Sequence, residues 1–292
     1  MYKLIAIDLD GTLLNSYGEI SKKSKEAIKK AIEKGVHVVL ASGRPISSVK
    51  SFANEIEANN YIICGNGSAL YDMKNEQMVY TNPLNTQKAL EIIKVCEDNS
   101  LYYSIYTGNM TIAKALNYNI LSYNYENQNK PEDKKTNIKI MDNIYNYIQE
   151  NENMPVFKMT ICDEDEVIFS RILAKLKEIK NVDVLDVEHM SRKVIKYGTQ
   201  DVTLGYYYTE ITNNNVNKWN AIEELAKRLQ IKNEEIMTIG DNINDKEMTV
   251  NSGLGVIMGN SAPYMKEVAD AIVSDNNNDG VAEAIEKYVL NY

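Results

Sequence analysis

Lys3-Leu4-Ile5-Ala6-Ile7-Asp8-Leu9-Asp10-Gly11-Thr12 is an apolar strand that runs straight into two carboxylates and a turn. In an open parallel sheet, ligands bind outside the carboxyl ends of the strands, where rigid scaffold would hold Asp8 and Asp10. Gly11 lets the chain turn away. Carboxylates this close repel each other, so the pair implies either a divalent cation that neutralises them or a proton held by one of them.

Outward from this stretch, short apolar strands alternate with helical patterns, as in right-handed βαβ units around a parallel sheet. Ser21 reads as a helix N-cap, Ile28, Ala31 and Ile32 give an apolar stripe, and Gly35 stands where that helix would stop. Val36 to Leu40 and Tyr61 to Cys64 read as the next strands, followed by the polar loops Ala41-Ser42-Gly43-Arg44 and Gly65-Asn66-Gly67. The alternation returns near the C-terminus. Trp219, Ile222, Leu225, Ala226 and Leu229 form a helical face, and the strand Glu235 to Ile239 ends in Gly240-Asp241-Asn242-Ile243-Asn244-Asp245. Gly255 to Met258 and Ala271 to Val273 predict two more strands, and a last helix from Gly280 turns Val281, Ala284, Ile285 and Tyr288 inward.

The middle of the chain follows a different pattern. Phe157, Met159 and Ile161 alternate with Val156, Lys158 and Thr160, which predicts a half-exposed antiparallel strand. Val202, Leu204, Tyr206 and Tyr208 alternate likewise after a turn-like Gly198-Thr199-Gln200-Asp201. Ala89, Ile92, Ile93 and Cys96 predict one amphipathic helix, and Ile168, Ile172, Leu176 and Ile179 another. Thr81-Asn82-Pro83 and Glu210-Ile211-Thr212 are the expected linkers. The expectation is an α/β core of residues 1–82 and 212–292 with an inserted α+β module at 83–211. The Asn- and Tyr-rich stretch from Asn117 to Tyr147 has weak periodicity and is assigned no role, and Asn276 to Asn278 read as a polar loop.

At 292 residues, 44% of them hydrophobic, the chain is long enough for two cores. A formal net charge of -9 argues against a protein that tracks nucleic acid through its phosphates. Cys64, Cys96 and Cys162 lie outside any CxxC pattern and predict buried thiols in a reducing cytoplasm, without disulfides or structural zinc. His37 and His189 have no partner at metal-ligand spacing. The apolar N-terminus is cut by Asp8 and Asp10 and lacks a small-residue cleavage site, which argues against a signal peptide, and no run reaches the length of a membrane span.

Asp8 can act as a nucleophile that attacks phosphorus to form an aspartyl-phosphate, because a carboxylate stays ionised at neutral pH. Phosphoryl transfer asks chiefly for in-line positioning and neutralised charge. Magnesium suits that task, with oxygens from Asp8 and the Asp241 to Asp245 loop. Ser42, the Gly43 amide and Lys218 would hold phosphate oxygens, which leaves Asp10 to give a proton to the leaving alkoxide and take one from water.

Asp8-Leu9-Asp10-Gly11-Thr12, Ser42-Gly43-Arg44, Lys218 and Gly240-Asp241-Asn242-Ile243-Asn244-Asp245 resemble, in order and spacing, the motifs of the haloacid dehalogenase superfamily of phosphatases. Asn66-Gly67, Met248, Gly253, Gly255-Val256-Ile257-Met258-Gly259-Asn260, Ala269-Asp270 and Asp279-Gly280-Val281 resemble its Cof-type (class IIB) branch, whose large cap lies between the second and third motifs. The resemblance implies a Rossmann-like parallel-sheet core with an inserted α+β cap that closes over the leaving group. It implies Asp8 as nucleophile and metal ligand, and Asp10 as acid/base with its backbone carbonyl on the metal. Asp241 and Asp245 complete the metal set, and Leu9, Thr12, Ser42, Gly43, Arg44, Asn66, Lys218 and Asn244 surround the phosphate or substrate. Mg2+ is the implied cofactor and a small phosphorylated metabolite, such as a sugar phosphate, the implied partner. The sequence departs from the family at Trp219, Lys246 and Thr249-Val250. Two other readings share these motifs. A sugar phosphomutase would return the phosphoryl group to a sugar, and a non-enzymatic phospho-aspartate switch would merely hold it.

Overall fold

The computed structural model describes residues 2–291 apart from 59, 109, 129, 133–134, 186–189 and 198–199, with the backbone alone for 191–202. His189 and the turn residues Gly198 and Thr199 therefore lie outside the described residues. The chain forms two compact units, one of residues 1–44, 49–80 and 217–292 and one of 45–48 and 81–216.

Unit 1 is built on an eight-stranded sheet in the order β15-β14-β13-β1-β2-β3-β4-β5. Its strands are β1 (Leu4–Ile7), β2 (His37–Ala41), β3 (Tyr61–Cys64), β4 (Ala69–Asp72), β5 (Gln77–Thr81), β13 (Ile236–Gly240), β14 (Leu254–Ile257) and β15 (Ala271–Ile272). From β15 to β3 the neighbours are parallel, and β4 returns antiparallel to β3. β1 is apolar throughout because both of its faces are covered, as parallel strands require. Leu4, Ala6, Val39 and Ala41 pack against Trp219, Ile222, Leu225 and Ala226 of the helix Lys218–Leu229. Trp219, a departure from the family pattern, is thus a core residue.

The expected punctuation operates as local physics. The Ser21 hydroxyl accepts from the Ser24 amide at the start of the helix Lys22–Glu33, and Gly35 takes φ +82° just beyond its end. β1 lies between β2 and β13, and the chain crosses over to one side after β1 and to the other after β13. The crevice outside the carboxyl ends of β1 and β13 is therefore a topological switch point, where such sheets bind ligands.

Unit 2 is α+β. Its strands are β6 (Tyr102–Thr107), β7 (Thr111–Ala113), β8 (Ile138–Ile140), β9 (Val156–Asp163), β10 (Val182–Val184), β11 (Ser191–Tyr197) and β12 (Gln200–Asn213), with sheet order β10-β12-β9-β6-β7-β8 and β11 paired to β12. The helices Thr86–Asp98, Ile144–Glu150 and Glu166–Lys177 bury Ile92, Ile93, Ile144, Ile148, Ile172 and Leu176 against Ile105, Met159, Ile161 and Ile211. The Asn- and Tyr-rich stretch holds the helix Tyr118–Gln128 and β8.

Four expectations are corrected. β9 is buried on both faces, not half-exposed, because Lys158 is neutralised by Glu210 and lies over the Tyr106 ring. Ile168 is exposed and Phe169 takes its inward position, while Ile172, Leu176 and Ile179 are buried as expected. Tyr288 is half-buried while Val289 and Leu290 are buried, because the last helix passes into a π turn over Glu286–Leu290 that shifts its inward face. Glu210, Ile211 and Thr212 lie within β12 and form no linker; the units part between residues 216 and 217, and on the other side between 80 and 81. Cys64, Cys96 and Cys162 are buried thiols. Among the described residues no helix is long and apolar enough to cross a membrane.

Candidate active site

Four strand-end loops of unit 1 bring the site together. At the end of β1 the Asp8 amide donates to the Ile239 carbonyl (3.0 Å), which continues the parallel ladder one residue past the strand and fixes the carboxylate at the edge. The loop then curls back, with the Leu14 amide on the Leu9 carbonyl (2.9 Å), and buries the Leu9 side chain. Gly11 sits at φ +84°, where a Cβ would lie 2.4 Å from Asp241 Oδ2. Only glycine fits that approach.

After β13, Asp241 enters a turn closed by its neighbour. Asp245 Oδ2 accepts from the amides of Asp241 (2.9 Å) and Asn242 (3.1 Å), while Asp245 Oδ1 accepts from Lys218 Nζ (2.6 Å). The same ammonium donates to Asp8 Oδ1 (2.5 Å). Lys218 reaches this position because Asn217 caps its helix by accepting from the Asn220 amide, and because Gly67, at φ +99°, has no side chain to strike the Asn217 carbonyl. Thr12 Oγ1 donates to Asp241 Oδ1 (3.1 Å).

The electrostatics of this cluster are severe. Asp8, Asp241 and Asp245 offer oxygens within 4.8 Å of one another, and one ammonium faces them. Burial pushes Asp8 up from 3.8 to about 7, against the pull of Lys218 and with Asp245 adding to the rise. Burial also holds Asp241 well above the ordinary carboxylate range, helped by Asp8 and Asp245. Lys218 is raised as well: burial would lower it, but Asp245 and Asp8 outweigh burial. Three carboxylates, Asp8 and Asp245 buried and Asp241 half-buried, against one ammonium leave negative charge that a hard divalent cation would balance, and every donor is an oxygen, as such a cation demands. Asp8 and Asp241 are the ligands this arrangement favours. Asp245 has both oxygens committed and holds the loop and the lysine.

The remaining predicted residues fall into two groups. Ser42 is buried; its amide donates to Ile63 (2.9 Å) and its hydroxyl accepts from the Arg44 amide (3.2 Å), with half-buried Gly43 between them. Asn66, in a left-handed conformation at φ +59°, accepts through Oδ1 from Asn244 Nδ2 (3.2 Å), which ties the β3 loop to the β13 loop. Asp10 stands apart from the acidic cluster. Its carboxylate is held by the Arg44 guanidinium, Nε to Oδ2 at 2.7 Å and NH2 to Oδ1 at 2.8 Å. Arg44, expected beside the substrate, is thus engaged with Asp10.

Sequence reading placed Asn260 in a family motif and Asn276 in a polar loop, and gave neither a role at the site. Asn260 Nδ2 donates to the Gly11 carbonyl (2.9 Å) and lies 3.5 Å from Asp241 Oδ2, its Oδ1 accepts from the Asn276 amide, and Asn276 Nδ2 donates to Leu14 O (2.8 Å). The available signal was position, since Asn260 follows β14, the strand beside β13.

A parallel α/β sheet with an inserted α+β unit, and an Asp-Lys-Asp cluster at its switch point, define a phosphoryl-transfer hydrolase fold. Residues 5–285 match the family model of haloacid dehalogenase-like hydrolases, and the chain belongs to this family, in its Cof-type branch. It is 29% identical over 296 residues to the phosphatase YwpJ of Bacillus subtilis, covering 99% of this chain and 100% of that protein. It is 27% identical over 288 residues to the 5-amino-6-(5-phospho-D-ribitylamino)uracil phosphatase YcsE of the same organism, covering 99% and 96%. The crystal structure of a haloacid dehalogenase-like hydrolase from Bacteroides thetaiotaomicron superposes with a TM-score of 0.78 at 27% identity, over 98% of this chain and 99% of that one. The enzyme class is that of a phosphoric monoester hydrolase.

Proposed function

We propose that the protein hydrolyses small phosphorylated metabolites, sugar phosphates among them, in the cytoplasm, through an aspartyl-phosphate on Asp8 and with Mg2+ as cofactor. The observation that carries this reading is the buried Asp8, bonded to Lys218 beside Asp241 at adjoining strand ends. An Asp8 oxygen attacks phosphorus as the bond to the leaving oxygen breaks, and Asp10 gives that oxygen its proton. Asp10 then takes a proton from the water that attacks the acyl phosphate, which frees phosphate and restores Asp8. Lys218, Ser42 and the Gly43 amide hold phosphoryl oxygens, while Thr12 and Asn260 keep Asp241 and the Gly11 turn in place. Asn66 and Asn244 brace the loops around the phosphate. Magnesium, held by Asp8 and Asp241 with the Asp10 carbonyl and Asp245 in support, would neutralise the cluster and the charge spreading over the phosphoryl group.

The substrate class draws support from YcsE, whose name places a phosphorylated ribityl compound in its site. The inserted unit at residues 81–216 is the proposed source of leaving-group selectivity. A phosphate-release screen over sugar phosphates, nucleotides, pyridoxal phosphate and flavin mononucleotide, with and without Mg2+, tests the proposal. The expected result is metal-dependent release that Asp8→Asn abolishes. Full activity in Asp8→Asn, or sugar-phosphate isomers formed without free phosphate, would overturn it.

A further inference from the structure

Arg44 follows the phosphate-binding loop and invites assignment to the substrate phosphate. Its geometry says otherwise. The side chain is 5% exposed and its fork takes both oxygens of the Asp10 carboxylate, while the Asp10 side chain itself is 46% exposed. The guanidinium carbon lies over the Phe52 ring, 5.3 Å from its centre, so the cation also rests on an aromatic face. The backbone is held as firmly: the Arg44 amide donates to Ser42 Oγ and the Arg44 carbonyl accepts from the Gly65 amide (3.2 Å). Arg44 is thus anchored to the ends of β2 and β3 and reaches across to the loop after β1.

We propose that Arg44 is a positioning residue for Asp10, acting on the proton-transferring carboxylate and not on the substrate phosphate. This rests on the reading of Asp10 as the group that moves the proton. Asp10 lies past the end of β1 on a loop that turns at a glycine, with its side chain half open to water. Two N–H···O bonds from a buried guanidinium fix the carboxylate plane, which a single point charge would leave free to rotate. The rate of proton transfer depends on that orientation, and misplacement of about 1 Å costs up to about 100-fold.

The test is a kinetic cycle on the metal-loaded full-length enzyme with Arg44→Lys, Arg44→Ala, Asp10→Asn and the Arg44→Ala/Asp10→Asn double variant, assayed on a sugar phosphate and on p-nitrophenyl phosphate. Arg44→Lys keeps a buried cation, so it reads the loss of the fork if Arg44→Ala fails to fold. The expected result is a fall in kcat of about 10- to 100-fold on the sugar phosphate with KM within about 2-fold of wild type. The double variant should be no slower than Asp10→Asn alone. With p-nitrophenyl phosphate, whose leaving group needs no proton, a burst of nitrophenolate followed by slow turnover is expected. A rise in KM at unchanged kcat, or a double variant slowed by the product of the two single effects, would overturn the inference while leaving the role of Asp10 intact. Wild-type kcat in Asp10→Asn would overturn the role of Asp10, and this inference with it.

Discussion

The buried cluster makes metal-free stability depend on pH in a direction opposite to that of a typical salt-bridged aspartate. Asp8 titrates at about 7 in the folded chain against an ordinary value of 3.8. Between those values the folded state binds a proton that the unfolded state has lost, so stability falls as pH rises through the window. From pH 5 to pH 8 the loss from this one group is roughly 3 kcal/mol. Asp8→Asn carries a neutral side chain at every pH and removes the term. The assay is urea denaturation of chelator-treated wild type and Asp8→Asn at pH 5 and pH 8, so that titrating groups outside the Asp8, Lys218, Asp241 and Asp245 cluster cancel in the comparison. Wild type should lose about 3 kcal/mol relative to the variant across that interval, and saturating Mg2+ should restore wild type at pH 8 but not Asp8→Asn. A constant difference between the two proteins at both pH values would refute the burial argument for Asp8.

Gly11→Ala adds a Cβ 2.4 Å from Asp241 Oδ2 at a backbone φ of +84°; the displaced carboxylate should weaken Mg2+ binding about 10-fold or more, read by calorimetric titration, while the apo protein loses about 1 to 2 kcal/mol of stability to the left-handed backbone, read by denaturant unfolding. In unit 2, Lys158→Met leaves half-buried Glu210 without its lysine and should cost about 1 to 3 kcal/mol by denaturant unfolding, whereas Lys158→Met/Glu210→Leu should recover most of that loss. Additive losses in the double variant would show that the pair is not a coupled unit.

Much of unit 1 was legible because its signals are local. Ser21, Gly35 and the apolar runs of β1, β2 and β3 act within a few residues of themselves, and the acidic strand ends name their own position on the sheet. The cluster of Asp8, Lys218, Asp241 and Asp245 could be anticipated because strand ends of one parallel sheet converge. What stayed hidden depends on partners far away in sequence. Asn260 meets Gly11 and Asn276 meets Leu14 across more than two hundred residues, with no period to betray them. Lys158 looked solvent-facing because an alternating strand assigns charges to water; its burial is set by a cross-strand Glu210 and the Tyr106 ring. The π turn at Glu286–Leu290 shifted a helical face because one extra residue per turn leaves no mark in composition.

Asp8 and Asp10 are two residues apart on one strand end, and the sequence alone treats them as a repelling pair. The structure separates them by environment. Asp8 is buried, bonded to an ammonium and packed beside two further carboxylates, whereas Asp10 is half open to solvent and clamped by a guanidinium. An attacking carboxylate has to be dry and fixed on the line of displacement; a proton-transferring carboxylate has to exchange with water and with the leaving oxygen. Environments that differ this sharply are how one protein gives two like groups unlike tasks, and the repulsion between the pair is relieved by two separate cations, Lys218 for one and Arg44 for the other.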